Sequence, residues 1–227
     1  PYADIPKAVF IGITGCGKSS ILCSLSHKEL LITWVGKIMH LEGEGIGTDL
    51  FSYTSIPCIE PSLNLKTILV DCPGFEDLSG VEQEILNIFS IKKIFENYGN
   101  KENKFKIILV ISCEEFKAER GAKMISSFSM LNKMFTINEK LKNNLGVIVT
   151  KTEPDFSGFD YLYELNHTLK KMDEEKRKTL PNCLFDICEF LVNNPKHIFT
   201  FPHPSYKQKG QQYDFEDHEN VLKFLNA

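Results

Sequence analysis

The chain has 227 residues, 42% of them hydrophobic and 25% charged, which is enough apolar material for a sizeable single core. Its formal net charge of −4, with both signs interspersed, excludes the basic stripe that nucleic-acid binding needs. No run approaches the roughly eighteen apolar residues of a membrane span, and no signal-peptide pattern opens the chain. A cytoplasmic setting is therefore expected, with any membrane association left to segments outside this chain. The seven cysteines, an odd number without C-x-x-C spacing, are expected to be buried reduced thiols rather than disulfides or zinc ligands. His27, His40, His167, His197, His203 and His218 show no metal-ligand spacing, and no G-x-S-x-G elbow occurs. The chain opens at Pro1 rather than methionine. The expectation is one domain over 1–227, as a fragment or processed product.

In chain order, the apolar run Ala8-Val9-Phe10-Ile11 leads directly into Gly12-Ile13-Thr14-Gly15-Cys16-Gly17-Lys18-Ser19, which satisfies G-x-x-x-x-G-K-[ST]. Glycines there let consecutive N–H groups turn inward beside the positive end of the following helix, making a concave anion site. In such a loop Lys18 reaches the β- and γ-phosphates as a point charge, and the Ser19 hydroxyl ligates Mg2+. Gly12, Thr14, Gly15, Cys16, Gly17 and Ser20 complete the expected triphosphate site. Trp34, the only tryptophan, is expected to be a partly buried packing residue. Lys66–Asp71 is a second apolar run ending in Asp71-Cys72-Pro73-Gly74-Phe75. An acidic residue emerging there can hold Mg2+ through its water shell, and a glycine just beyond can bring its N–H to the γ-phosphate; Asp71 and Gly74 take those roles.

Further on, Lys106–Ser112, Gly146–Thr150 and His197–Phe201 read as buried parallel strands. Three helical stripes lie among them: Val81, Ile85, Ile88 and Phe95; Met124, Phe128, Leu131 and Phe135; and Leu162, Leu165, Leu169 and Met172. All three are expected to be core faces. Thr150-Lys151-Thr152-Glu153 has the form of the guanine-recognition element T-K-x-D with glutamate for aspartate. A carboxylate accepts from guanine N1–H and N2–H2, groups that adenine does not supply, while the lysine stem packs over the purine. Glu153 is one methylene longer than aspartate, so Asp155 is an alternative acceptor. His203 stands where a loop over the base would lie, with a turn between prolines as the plainer reading. Lys207–Gln212 reads as a loop and Asp217–Leu225 as a final helix. This alternation specifies a three-layer α/β fold, a mostly parallel central sheet with helices on both faces and ligands at the carboxyl ends of the strands, and the Gly12–Ser19 motif at such an end makes the expected fold that of a P-loop NTPase.

G-x-T-G-x-G-K-S, D-C-P-G-F and T-K-x-E, in this order, resemble the GTP-binding domain of the translation-factor class of P-loop GTPases. Within that class the chain is most similar to the septin-like branch, which includes septins, chloroplast import GTPases and the GTPases of immunity-associated proteins. The similarity covers roughly residues 7 to 201. It implies a GTP/GDP-binding protein whose switch threonine closes on Mg2+ and the γ-phosphate. Thr48 is the first candidate and Thr54 the second, with the acidic, glycine-rich Glu42–Gly47 as the segment a ligand orders.

The resemblance also implies nucleotide-dependent homodimerisation through the G domain, or recruitment of a protein effector. Many GTPases follow the D-x-x-G glycine with a glutamine that orients the attacking water, and this chain has Phe75. Slow intrinsic hydrolysis is expected, completed by a second subunit or a partner. Arg120 is a candidate charge stabiliser in trans, although Thr14 takes room that an incoming arginine would use. An ATP-using P-loop enzyme and a nucleotide-binding scaffold with negligible turnover are the alternative readings.

Overall fold

Alternate residues of a strand point to opposite faces, and the central strands of this chain are apolar on both. The computed structural model describes residues 5–26, 31–35, 38–42, 54, 56–61, 66–75, 80–98, 105–117, 122–134, 139–153, 155–178, 180–203 and 217–227. In chain order the elements are β1 (Lys7–Ile11), α1 (Lys18–Leu25), β2 (Leu31–Val35), β3 (Ile38–Glu42), β4 (Cys58–Pro61), β5 (Ile68–Asp71), α2 (Val81–Tyr98), β6 (Phe105–Ser112), α3 (Cys113–Lys117), α4 (Ala122–Met134), α5 (Glu139–Asn143), β7 (Leu145–Thr152), α6 (Gly158–Lys170), α7 (Glu174–Lys178), α8 (Asn182–Asn193), β8 (Ile198–Pro202) and α9 (His218–Asn226).

Six strands form one sheet in the order β4-β5-β1-β6-β7-β8. All neighbours in it are parallel except β4, which runs antiparallel to β5 at the edge. Val9, Val70, Ile107 and Val147 look to one face, where Ile91 of α2, Phe116 of α3, Phe128 of α4, Leu162 of α6 and Leu184 of α8 cover them. Phe10, Leu69, Ile108, Ile148 and Phe199 look to the other, against Ile21 and Leu22 of α1 and Val221 and Phe224 of α9. The result is the three-layer α/β fold that the alternating pattern specifies. Fully burying each such side chain is worth about 1.5–3 kcal/mol.

Several elements differ from the sequence expectations. The hairpin β2–β3 was not anticipated; it pairs Leu31 with Glu42 and Val35 with Ile38. Nor was the short edge strand β4, whose Cys58 and Ile59 are both exposed. In α2 the expected core stripe is misplaced: Ile88 and Phe95 pack on the core, but Val81 and Ile85 are exposed, while Asn87 and Ile91 are fully buried. Met124, Phe128 and Leu131 are buried as the core face of α4, and Leu162, Leu165 and Leu169 as that of α6. The final helix α9 buries Val221, Phe224 and Leu225, and Thr67 donates to the Leu225 carbonyl at 3.3 Å. Six cysteines are buried and Cys58 is exposed.

At the amino end of β7, His197 is buried with Nδ1 2.8 Å from the Leu145 carbonyl, where a protonated Nδ1 donates. Its ring lies edge-on to Phe190 and Phe224. Burial pushes its pKa below the usual 6.5, outweighing the carbonyl contact. Among the described residues, no helix is long and apolar enough to cross a membrane.

Candidate functional site

Strand β1 ends at Ile11, and the chain must turn sharply to start α1 at Lys18. Gly15 and Gly17 make the turn with φ of +80° and +98°, the left-handed region that side chains disfavour. Gly17 is the N-cap of α1 and supplies no side-chain cap. The first N–H groups of that helix therefore face the loop, together with about half a positive charge of helix dipole. Lys18 is 6% exposed and folds back over the loop. Its Nζ donates to the carbonyls of Gly12 at 3.1 Å and Ile13 at 3.0 Å. Cys16 lies under this ammonium, 3.8 Å from Nζ, yet burial pushes its thiol up rather than down. The loop thus carries a positive charge, with the ammonium folded onto its own carbonyls.

Asp71 ends β5, beside the loop. It is buried, and its Oδ2 accepts from the Ser19 hydroxyl at 2.7 Å and from the Thr54 hydroxyl at 3.1 Å. Three separate segments, α1, the approach to β4 and the end of β5, therefore converge on one carboxylate. Hydroxyl and carboxylate oxygens are the hard donors that suit Mg2+, so the residues present fit that ion. Of the two switch threonines, Thr54 is the one found here; Thr48 lies outside the described residues, as do Arg120, Phe135 and Lys207–Gln212.

Gly74 sits hard against the phosphate loop. A Cβ at Gly74 would fall 2.6 Å from Thr14 N and 2.5 Å from Thr14 Cα, so only glycine fits this approach. The next residue locks it: Phe75 N–H donates to the Gly12 carbonyl at 3.1 Å and Thr14 N–H to the Phe75 carbonyl at 2.9 Å. The Phe75 ring is 4% exposed and belongs to the sheet core. From the other side, Asn87 of α2 donates from Nδ2 to the Gly74 carbonyl at 3.1 Å, while its Oδ1 accepts from Gln83 at 2.8 Å. Asn87 was missed in the sequence, where a polar residue inside an apolar helix face gave no signal of its partner. The Thr14 hydroxyl oxygen is buried with no hydrogen-bond partner among the described residues.

At the end of β7 the expected base-recognition residues divide. Thr150 is buried, and its hydroxyl donates to the Cys16 carbonyl at 2.5 Å. It also lies behind Gly17, where a Cβ would come within 3.6 Å of its methyl. Thr150 is therefore a strut for the phosphate loop, a role the sequence did not reveal. Lys151 is exposed and takes φ of +55°, at a register shift between β7 and β8. Such left-handed backbone in a non-glycine residue is a mark of functional loops. Glu153 and Asp155 are both exposed. The His203 N–H donates to the Thr152 carbonyl at 2.9 Å, tying the end of β8 to this loop. Ser20 is the third residue of α1 and is partly exposed.

No family model matches the chain, and no curated protein matches it. Among solved structures it is similar to a probable GTP-binding protein, EngB, with 14% identity, 96% of this chain and 98% of that chain covered, and a TM-score of 0.51. The fold is the α/β fold of P-loop NTPases. Also similar are Aquifex aeolicus Era bound to GDP·AlF4− (15% identity, 97% of this chain and 56% of that chain, TM-score 0.47) and the signal recognition particle receptor SRb-GTP/SRX complex from Chaetomium thermophilum (13%, 88% and 91%, 0.45). At these identities the likeness concerns the fold alone, and the first of the three carries it.

Proposed function

We propose that the chain is a guanine-nucleotide-binding protein of the septin-like branch, a slow Mg-dependent GTPase that switches dimerisation or effector recruitment with its nucleotide. The observation that carries this reading is the convergence of Ser19, Thr54 and Asp71 beside the Gly17–Lys18 helix start. Lys18 exchanges the Gly12 and Ile13 carbonyls for β- and γ-phosphate oxygens, a short movement for a charge already folded onto the loop. Ser19 and the switch threonine, with Asp71 acting through water, would hold Mg2+, which supplies neutralisation of developing phosphate charge. Thr48 and Thr54 are the candidates for that threonine, and the contact to Asp71 favours Thr54. Gly74 offers its own N–H to the γ-phosphate, with its carbonyl held by Asn87 and the N–H and carbonyl of the following Phe75 held by Gly12 and Thr14.

Lys151 and Glu153 recognise the base, the stem over the purine and the carboxylate on the guanine edge. Buried reduced thiols fit a cytoplasmic protein. The core burial of Phe75 favours a second reading, a nucleotide-binding scaffold with negligible turnover, because no group at that position orients water. Competition of GTP, GDP and ATP for labelled GTP, with Lys18→Ala and Glu153→Ala as controls, tests the proposal. GTP and GDP should displace the label and ATP should not. Equal displacement by ATP would replace the guanine reading with an ATP-using enzyme, and absence of turnover in a loaded protein would select the scaffold.

A further inference from the structure

Helix α2 carries an outward apolar ridge that the core does not use. Val81, Ile85, Leu86 and Phe89 leave 74%, 61%, 57% and 57% of their surface exposed. Glu82 is exposed at the amino end of this ridge, and Lys92, Lys93 and Glu96 are exposed at its carboxyl end. At about 100° per residue, these eight residues share an arc of about 140° on one side of the helix. Lys93 meets Glu96 of its own helix at 3.1 Å, with both side chains about half exposed, an ion pair weak enough to be exchanged. A helix normally turns such a stripe inward, and an exposed apolar patch with charged ends marks a contact surface.

The charge layout says what that surface meets. An acid at one end and a net positive charge at the other, two lysines against Glu96, are self-complementary only when the same face is turned end for end. We propose that the outer face of α2 binds the outer face of α2 in a second copy of this chain, antiparallel, about a two-fold axis near Asn87 and Ile88. In that alignment Glu82 faces the partner's Lys92 and Lys93, while Ile85 and Leu86 face the partner's Phe89. The contact is isologous, so it closes at a dimer. A parallel alignment would set Glu82 against Glu82 and lysines against lysines, which electrostatics opposes.

The inner face of the same helix holds the phosphate side of the molecule. Asn87 is fully buried and donates to the Gly74 carbonyl, so any shift of Gly74 toward a γ-phosphate is transmitted to the helix that pairs. That coupling rests on the nucleotide reading above, whereas the surface itself does not. One helix pair is a small interface, so the dimer is weak and transient when α2 acts alone.

Sedimentation of the full chain over a concentration series, nucleotide-free and loaded with Mg2+ and a non-hydrolysable GTP analogue, tests the proposal, with nucleotide uptake measured on the same samples. Wild type should self-associate, and Glu82→Lys should weaken association about tenfold, the scale of a lost charge pair. Combining Glu82→Lys with Lys92→Glu and Lys93→Glu should restore it. If these charges served only the ends of their own helix, the triple variant would associate no better than the single one. Phe89→Ser, at an exposed position, should abolish association while nucleotide uptake and circular dichroism stay unchanged. A wild type that remains monomeric in both states, or a triple variant that fails to recover, overturns the interface. Failure of nucleotide uptake alongside charge-dependent association would sink the nucleotide reading and leave the interface standing.

Discussion

The two ends of the candidate site are built on opposite principles. At the proposed phosphate end, Gly74, Phe75, Thr14, Asn87 and Thr150 are locked together by short hydrogen bonds and core burial. At the proposed base end, Lys151, Glu153 and Asp155 stand exposed on a loop whose anchors are main-chain bonds. A rigid cradle suits a ligand part that is always phosphate, and an open rim suits selection of the base. Changes at the first end should therefore damage the fold and the site together, whereas changes at the second should alter selectivity alone.

The largest effect is expected from Phe75→Gln. Restoring the residue that orients water in many GTPases would place an amide in the sheet core, and the expected loss is about 3 kcal/mol or more of stability without a gain in turnover. Chemical denaturation and a single-turnover GTP assay check both halves; a stable variant with faster hydrolysis would show that Phe75 is not a fixed strut. Thr150→Val keeps the shape but leaves the Cys16 carbonyl without its donor, for an expected loss of about 1–2 kcal/mol in thermal denaturation together with weaker phosphate binding. At the base end, Glu153→Ala should leave stability within about 0.5 kcal/mol. Its discrimination between GTP and ATP should nonetheless fall about tenfold or more, as expected for loss of a charged hydrogen-bond acceptor. A coupled loss of stability would contradict the division between the two ends.

A smaller, independent effect comes from His197, at the far end of β7. Burial depresses its folded pKa below 6.5, so the unfolded chain takes up the proton first. The stability that the neutral ring contributes is complete above about pH 6.5 and is lost as pH falls from there through the lower folded value. His197→Gln should flatten that part of the stability–pH curve; an unchanged slope would assign the acid sensitivity to other groups.

Much of this arrangement was legible in the sequence because its signals are local. Gly12–Ser19 and Asp71–Gly74 combine chemistry with strand ends, and the nearly continuous apolar runs of β1, β6 and β7 announce strands buried on both faces. What escaped was tertiary. Cys58 and Ile59 of β4 are exposed and give no alternation to detect, whereas the hairpin β2–β3 had a local cue that went unread, the dipeptide Gly36-Lys37 between two strand-like runs. The stripe read through Val81 and Ile85 was rotated because Asn87 turns inward to serve the Gly74 carbonyl, a partner thirteen residues away. Thr150 belonged by pattern to the base motif, but its hydroxyl bonds to Cys16 across 134 positions of chain. The Thr54 hydroxyl lies close to Asp71 for the same kind of reason, since only the folding of β4 against β5 brings it there.

The loop from Gly12 to Ser19, completed by Asp71 and a switch threonine, is proposed as a magnesium–triphosphate cradle. Isothermal titration of GTP into the full chain, with and without Mg2+, addresses it directly, using Lys18→Ala as the partner experiment. The account predicts saturable one-site binding that tightens with Mg2+ and weakens about a hundredfold or more in Lys18→Ala, as loss of a charge contact to phosphate should. Absence of binding by the folded wild-type chain, or binding indifferent to both Mg2+ and Lys18, would contradict it.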